Sequence, residues 1–304
     1  MSKYKKGIDF VVNVFAKRHY LKLLVYSIHK YTKGVDYTIN LVNSWYGDES
    51  IGLKELDDMF KDDETVNIIQ GYDQTSTTII QADGAILQKE WNHVGKIDGN
   101  RKAAGSWYGH QSYTRGVKSG NREYVCIVDV DLIFLNEWVD KILPLTEDYF
   151  FVSNRWDPGN IYRECLNPIP ELGYAKFMFF IMKRSNFVDN NLYPNLDYRD
   201  TGGNITLFAQ ENNLPFHILK NTYWGREKRY RYGVAYEDIK KWHIGGEESC
   251  DAINNKHHLI DLPAGEQMYT DGVPIAFHQN RGLYNTTIKN DDWVLKAGHY
   301  LNTH

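Results

Sequence analysis

The feature that most constrains this chain is the alternation in its first 70 residues. IDFVVNVF (8–15) is an apolar, β-branched run of the kind that is buried on both faces as a strand. HYLKLLVYSIHKYT (19–32) carries Leu21, Leu24, Val25 and Ile28 at helical spacing, and Lys33-Gly34 closes it. DYTINLVN (36–43) and TVNIIQ (65–70) read as strands, with IGLKELDDMF (51–60) as a helix between them. The order β-α-β-α-β requires parallel strands joined by crossovers, so the expected class is α/β.

The rest of the chain extends this pattern. Residues 71–105 are polar and rich in Gly, Ser, Thr and Asp, and read as a long excursion, a candidate lid. SWYGHQSYTRGVKSG (106–120) reads as a helix, and REYVCIVDVDLIFL (122–135) as one strong strand. A short helix (NEWVDKIL), strands at 149–154 and 176–183 and a helix at 204–213 follow; beyond about 220 the pattern loosens into aromatic, basic and His-containing loops. No Pro/Gly/Ser linker divides the sequence, so the 304 residues read as one unit.

Charge excludes some functions. With 35 Lys+Arg against 39 Asp+Glu, the net charge is −4, a poor match to a chain whose task is gripping nucleic-acid phosphates. Aromatic residues make up 14%, which suits sugar rings and nucleobases but equally suits cores. The apolar run Phe10–Ala16 is broken by Asn13, met by Lys17-Arg18 and too short for a signal peptide, and no stretch approaches a membrane span. Cys126, Cys165 and Cys250 form no C-x-x-C pair, so the expected compartment is the reducing cytoplasm.

The chemistry is concentrated at Asp129-Val130-Asp131. Ligands of open α/β sheets bind outside the carboxyl ends of strands. Two carboxylates one residue apart at such an end can share one hard cation, Mg²⁺ or Mn²⁺, which in turn bridges phosphate oxygens. A bound cation would stabilise a departing diphosphate. The plainer reading is a solvated strand end, or Asp131 capping a turn.

The segments in this order resemble nucleotide-sugar glycosyltransferases of the GT-A fold, nearest in style to the large inverting family 2. FVVNVFAKRHYLKLLVYSIHKYTKG is similar to that family's opening strand and helix, and YTRGVKSGNREYVCIVDVDLIFL to its approach to the D-x-D motif. The resemblance runs from residue 8 to about 282. It implies a Rossmann-like nucleotide-binding sheet with flanking helices, about 1–135, and an elaborated acceptor-side, metal-closing half, about 136–304. It implies a UDP-, GDP- or dTDP-sugar donor, a glycan or other hydroxyl acceptor, and Mn²⁺ or Mg²⁺. It gives Asp129 a role toward ribose or metal and Asp131 the metal that holds the diphosphate. Phe15 and Ala16, with Arg18 beside them, stand where the family contacts nucleobase and ribose; Phe15 suits a core equally well.

Inverting transfer needs a base for the acceptor hydroxyl. The resemblance places it at Asp200, in YRDTGGNITLFAQENN, with Asp197 in reserve, and Arg199-Asp200 replaces the family's usual acidic pair. The competing reading makes Asp200 or Thr201 the N-cap of the helix that follows. Gly202-Gly203 would let an acceptor approach the backbone. WHIGGEES (242–249) resembles the family's late H-x-G-G-x-x-S element, so His243 ranks slightly ahead of His278 as the third metal ligand. A zinc site of His243, Cys250, His257 and His258 matches no standard spacing. Arg226 and Arg229, in GREKRYRYG, and Arg281 are candidates for the donor diphosphate, although a solvated basic face explains such residues as well. Two other functions fit parts of the pattern. A haloacid-dehalogenase-like phosphatase also opens on an apolar strand and D-x-D, but there Gly-Thr follows near the N-terminus, whereas here Leu132-Ile133 follows deep in the chain. A carbohydrate-binding protein without turnover fits the same fold.

Overall fold

The computed structural model describes residues 3–14, 18–43, 53–70, 78–80, 86–88, 112–154, 156–157, 174–175, 177–193, 202–224, 265–279 and 290–304. The opening alternation forms as read: β1 (Lys5–Val14), α1 (Arg18–Tyr31), β2 (Tyr37–Asn43), α2 (Leu53–Phe60) and β3 (Val66–Gln70). Two short strands, β4 (Thr78–Ile80) and β5 (Ile86–Gln88), pair antiparallel within the polar excursion. There follow α3 (112–119), β6 (Arg122–Val128), β7 (Leu132–Phe134), α4 (Val139–Ile142), α5 (Leu145–Asp148) and β8 (Val152–Ser153). Next come β9 (Trp156–Asp157), β10 (Tyr174–Ala175), β11 (Phe179–Lys183), α6 (Arg184–Asp189), α7 (Gly203–Glu211) and β12 (His217–Ile218). The described chain ends with β13 (Lys220–Trp224), β14 (Gly265–Thr270), β15 (Val273–His278) and α8 (Asn290–Thr303).

The main sheet has seven strands in the order β3-β2-β1-β6-β11-β8-β12. β3, β2, β1 and β6 are mutually parallel, β11 runs against both of its neighbours, and β8 and β12 are parallel to each other. Numbered within this sheet, the order is 3-2-1-4-6-5-7 with the sixth strand reversed. This is the Rossmann-like α/β sheet of the GT-A arrangement, with helices on both faces.

Both faces are dry because successive side chains alternate between two cores. Ile8, Phe10, Val12 and Val14 of β1 join Ile39 and Leu41 of β2 and Cys126 and Val128 of β6 beneath α1 and α8. Val11, Val42, Val125 and Ile127 join Tyr113 and Val117 of α3, Phe187 of α6 and Ile205 and Ala209 of α7. Gly116 lets α3 lie this close, since a Cβ there would collide with Val11 and Val42. Much of the aromatic content serves packing. Trp138, fully buried, has Phe134, Phe179 and Phe10 around it at ring separations of 5.1, 5.7 and 6.0 Å. Each such pair contributes about 0.5–1.5 kcal/mol beyond the burial of area.

Two readings of the sequence need correction. The run 122–135 is not one strand: β6 ends at Val128, the chain turns, and β7 pairs instead with β15 in a second sheet of order β13-β14-β15-β7. The chain after 220 is not only loops, because β13, β14, β15 and α8 form there. α8 buries Trp293, Ala297 and Leu301, four residues apart, against the first core. Cys126 is a free, buried thiol in β6, and Cys165 and Cys250 lie outside the described residues. Among the described residues no helix is long and apolar enough to cross a membrane.

Candidate metal centre

The site forms where the chain leaves one sheet for the other. Asp129 follows β6, and its backbone N–H donates to Met178 O (3.1 Å), which ties it to the main sheet. Leu132 N–H closes the turn onto Asp129 O (3.2 Å). Asp131 already belongs with the second sheet, its carbonyl accepting from Gln279 N–H (3.0 Å) just beyond β15. β15 pairs with β7 so that His278 lies opposite Leu132. The imidazole therefore enters the turn between the aspartates. His278 Nε2 lies 3.1 Å from Asp131 Oδ1 and 3.5 Å from Asp129 Oδ2. Asp131 and His278 are buried, and Asp129 is half-buried.

The ligand atoms of Asp129, Asp131 and His278 lie within 4.8 Å of one another. Neighbouring ligands on a six-coordinate ion with bonds near 2.1 Å are about 3 Å apart, which the His278–aspartate distances approach. Two carboxylate oxygens and one imidazole nitrogen form a donor set suited to Mn²⁺, and less well to Mg²⁺, which prefers oxygen alone. The residues thus fit a divalent cation. The electrostatics agree. Burial alone would push His278 down, but the Asp131 charge and hydrogen bonds with Asp129, Asp131 and Glu266 hold it well above the ordinary histidine range.

Two further side chains serve this cluster, Tyr113 and Glu266, and neither was apparent from the sequence. Tyr113 Oη, on α3, donates to Asp129 Oδ1 at 3.0 Å. Glu266, fully buried on β14, accepts from His278 Nδ1 at 3.1 Å. Gln279, whose backbone N–H meets Asp131, is 1% exposed, and among the described residues neither end of its side-chain amide has a partner. Hairpin register conceals Glu266. Asp271 and Gly272, at φ 49° and 74°, form the tight turn, and a simple two-residue hairpin would set Glu266 opposite Phe277. A bulge between Met268 and Tyr269 shifts the pairing, so Glu266 faces His278. Pro274 in the facing strand is the one sequence sign of that irregularity.

The other candidates are placed unevenly. Arg18 begins α1 and pairs with Glu55 of α2, its Nη2 2.7 Å from Oε2, at an exposed surface. Phe15, Ala16, Asp197, Asp200, Arg226, Arg229, His243 and Arg281 lie outside the described residues, as do Cys250, His257 and His258 of the zinc alternative. The N-cap of α7 is Gly202, at φ 94° with no side-chain cap, so neither Asp200 nor Thr201 holds that position. The space over Gly202 is occupied by Ala175 O, which would collide with a Cβ there. On that side of Gly202 the chain itself fills the space.

Fold and site together define a Rossmann-like α/β chain of GT-A type with an Asp-Asp-His cluster at the carboxyl edge of its central parallel strands. No family model matches the sequence, and no curated protein is similar to it in sequence. Among solved structures the chain is similar to TarS of S. aureus, with a TM-score of 0.42 and 11% identity over 70% of this chain. It spans 35% of that TarS chain.

Proposed function

We propose that this chain is a metal-dependent glycosyltransferase that moves a sugar from a UDP-, GDP- or dTDP-sugar to a glycan or other hydroxyl acceptor. One observation carries the reading: Asp129, Asp131 and His278 converge at the carboxyl end of β6, the edge where open α/β sheets bind ligands. Mn²⁺ or Mg²⁺ held there would supply positive charge to the diphosphate as it leaves. Tyr113 holds the Asp129 carboxylate and the Gln279 N–H holds the Asp131 backbone carbonyl, so both residues are positioned before any donor arrives. Phe15, Ala16 and Arg18 are assigned to the nucleoside, following β1. Arg226, Arg229 and Arg281 are assigned to the donor phosphates. Asp200, with Asp197 in reserve, takes the acceptor hydroxyl proton, and inversion at the anomeric carbon follows from that single displacement. His243 remains the alternative third ligand.

The test is a thermal-shift and calorimetric screen of nucleoside diphosphates and their sugars, with and without Mn²⁺. A ligand that binds only the folded state raises the melting temperature by mass action. The expected result is metal-dependent binding of one nucleotide class, lost in Asp131→Asn. Asp200→Asn is expected to retain donor binding and lose transfer. Absence of metal-dependent nucleotide binding, with Asp131→Asn indistinguishable from wild type, would overturn the reading.

A further inference from the structure

The geometry points to Glu266 as the positioning residue of the cluster, engaging the Nδ1 proton of His278 so that Nε2 is the nitrogen turned toward Asp129 and Asp131. The inference rests on the metal reading above and adds how this chain prepares its nitrogen ligand.

Phe179 N–H can only donate, and it donates to Asn154 Oδ1 at 3.0 Å. That fixes the orientation of the Asn154 amide, so Nδ2 is the end that reaches Glu266 Oε1, at 3.4 Å. Glu266 Oε1 therefore accepts, and His278 Nδ1, 3.1 Å from the same oxygen, is the donor. A neutral imidazole carries one N–H. With that proton on Nδ1, Nε2 is the nitrogen turned to Asp131 Oδ1 and Asp129 Oδ2, and it offers a lone pair once its own proton leaves. Two carboxylates facing this nitrogen favour positive charge between them, which the Nε2 proton supplies in the metal-free protein and a divalent cation would supply on displacing it.

Two features oppose a purely architectural role for Glu266. Its exposure is 0%, and burying a carboxylate is unfavourable unless hydrogen bonds engage it. It also reaches His278 only because the β14–β15 ladder is irregular, and a regular hairpin would have left Phe277 in that place. Carboxylates behind ligating histidines fix tautomer and ring orientation, and their loss typically lowers metal affinity by about 10–100-fold.

The test compares Mn²⁺ dissociation constants by calorimetry for wild type, Asp131→Asn and Glu266→Gln. The expected order is tight for wild type, about 10–100-fold weaker for Glu266→Gln, and no measurable binding for Asp131→Asn. If Asp131→Asn abolishes binding while Glu266→Gln stays within about twofold of wild type, this inference falls and the metal reading stands. If wild type itself binds no Mn²⁺, both fall. A second measurement needs no variant at position 266: long-range ¹H–¹⁵N correlation on wild type loaded with Cd²⁺, a diamagnetic stand-in. A protonated Nδ1 and a metal-bound Nε2 on His278 support the assignment, and the reverse tautomer overturns it.

Discussion

Tyr113 Oη donates to Asp129 Oδ1 at 3.0 Å, and Asp129 Oδ2 faces His278 Nε2. One oxygen of this carboxylate is thus held from α3, leaving the other for the cluster. Tyr113 is itself held: it is 6% exposed and its ring meets Phe177 edge-on at 5.6 Å. Tyr113→Phe keeps the packing and removes the donor. The expected outcome is Mn²⁺ binding weakened about tenfold, with a stability loss of about 1 kcal/mol. Calorimetry beside urea denaturation separates the two, and an unchanged Mn²⁺ dissociation constant would remove Tyr113 from the site.

Gly116 sets how close α3 lies to β1 and β2. Gly116→Ala gains up to about 1 kcal/mol of helix propensity. It also places a methyl group against Val11 and Val42 within a packed core, at a cost of about 1–3 kcal/mol. The second effect is the larger, so the variant is expected to melt at a lower temperature than wild type. A rise in melting temperature would show that α3 has room to retreat.

At the opposite edge of the sheet, Asp9 and Arg184 form a buried ion pair, with Oδ2 2.5 Å from Nη2 and exposures of 2% and 1%. Arg184 also donates from Nε to Arg122 O (2.6 Å) and from Nη1 to Val117 O, and Asp9 accepts from Arg122 N–H (2.8 Å). The pair therefore joins β1, β6, α3 and α6. Asp9→Asn leaves a buried guanidinium uncompensated and is expected to lower stability by about 3–5 kcal/mol, whereas Asp9→Leu with Arg184→Met is expected to recover much of that loss. Urea midpoints for the single and double variants decide it. A double variant no more stable than the single would show the pair to be net stabilising in its own right.

Acid sensitivity is expected at Asp63. Partial burial raises its carboxyl, but hydrogen bonds from Thr65 and His29 outweigh this and hold it below the ordinary aspartate value. A depressed carboxyl contributes stability that is present above its unfolded value, near 3.8, and is lost as pH falls through the lower folded one. Asp63→Asn keeps the acceptor toward Thr65 and removes the charge. Its unfolding free energy from urea titration is expected to trail wild type at pH 7, by about 1 kcal/mol, and to approach it by pH 2. A gap that persists at pH 2 would place the effect in the turn rather than in the charge.

The opening of the fold was legible because each element announces itself locally. Leu21, Leu24, Val25 and Ile28 mark α1, and all four are buried. Asp129 and Asp131 were legible as a pair because an apolar strand precedes them. The sheet change between them was not, because Leu132, Ile133 and Phe134 continue the apolar run without a break while their partners change. The second sheet was obscured for a different reason. Glu266 and Gln267 are polar yet fully buried, so β14 carries no alternation to read. In the sequence His278 ranks behind His243, since only tertiary pairing shows that β15 carries His278 into the turn.

The corner between β6 and β7 has a mechanical consequence. Asp129 is anchored to the main sheet through Met178, while Asp131 and His278 are anchored to the smaller one. A cation bound among them would act as a rivet through the seam of the molecule.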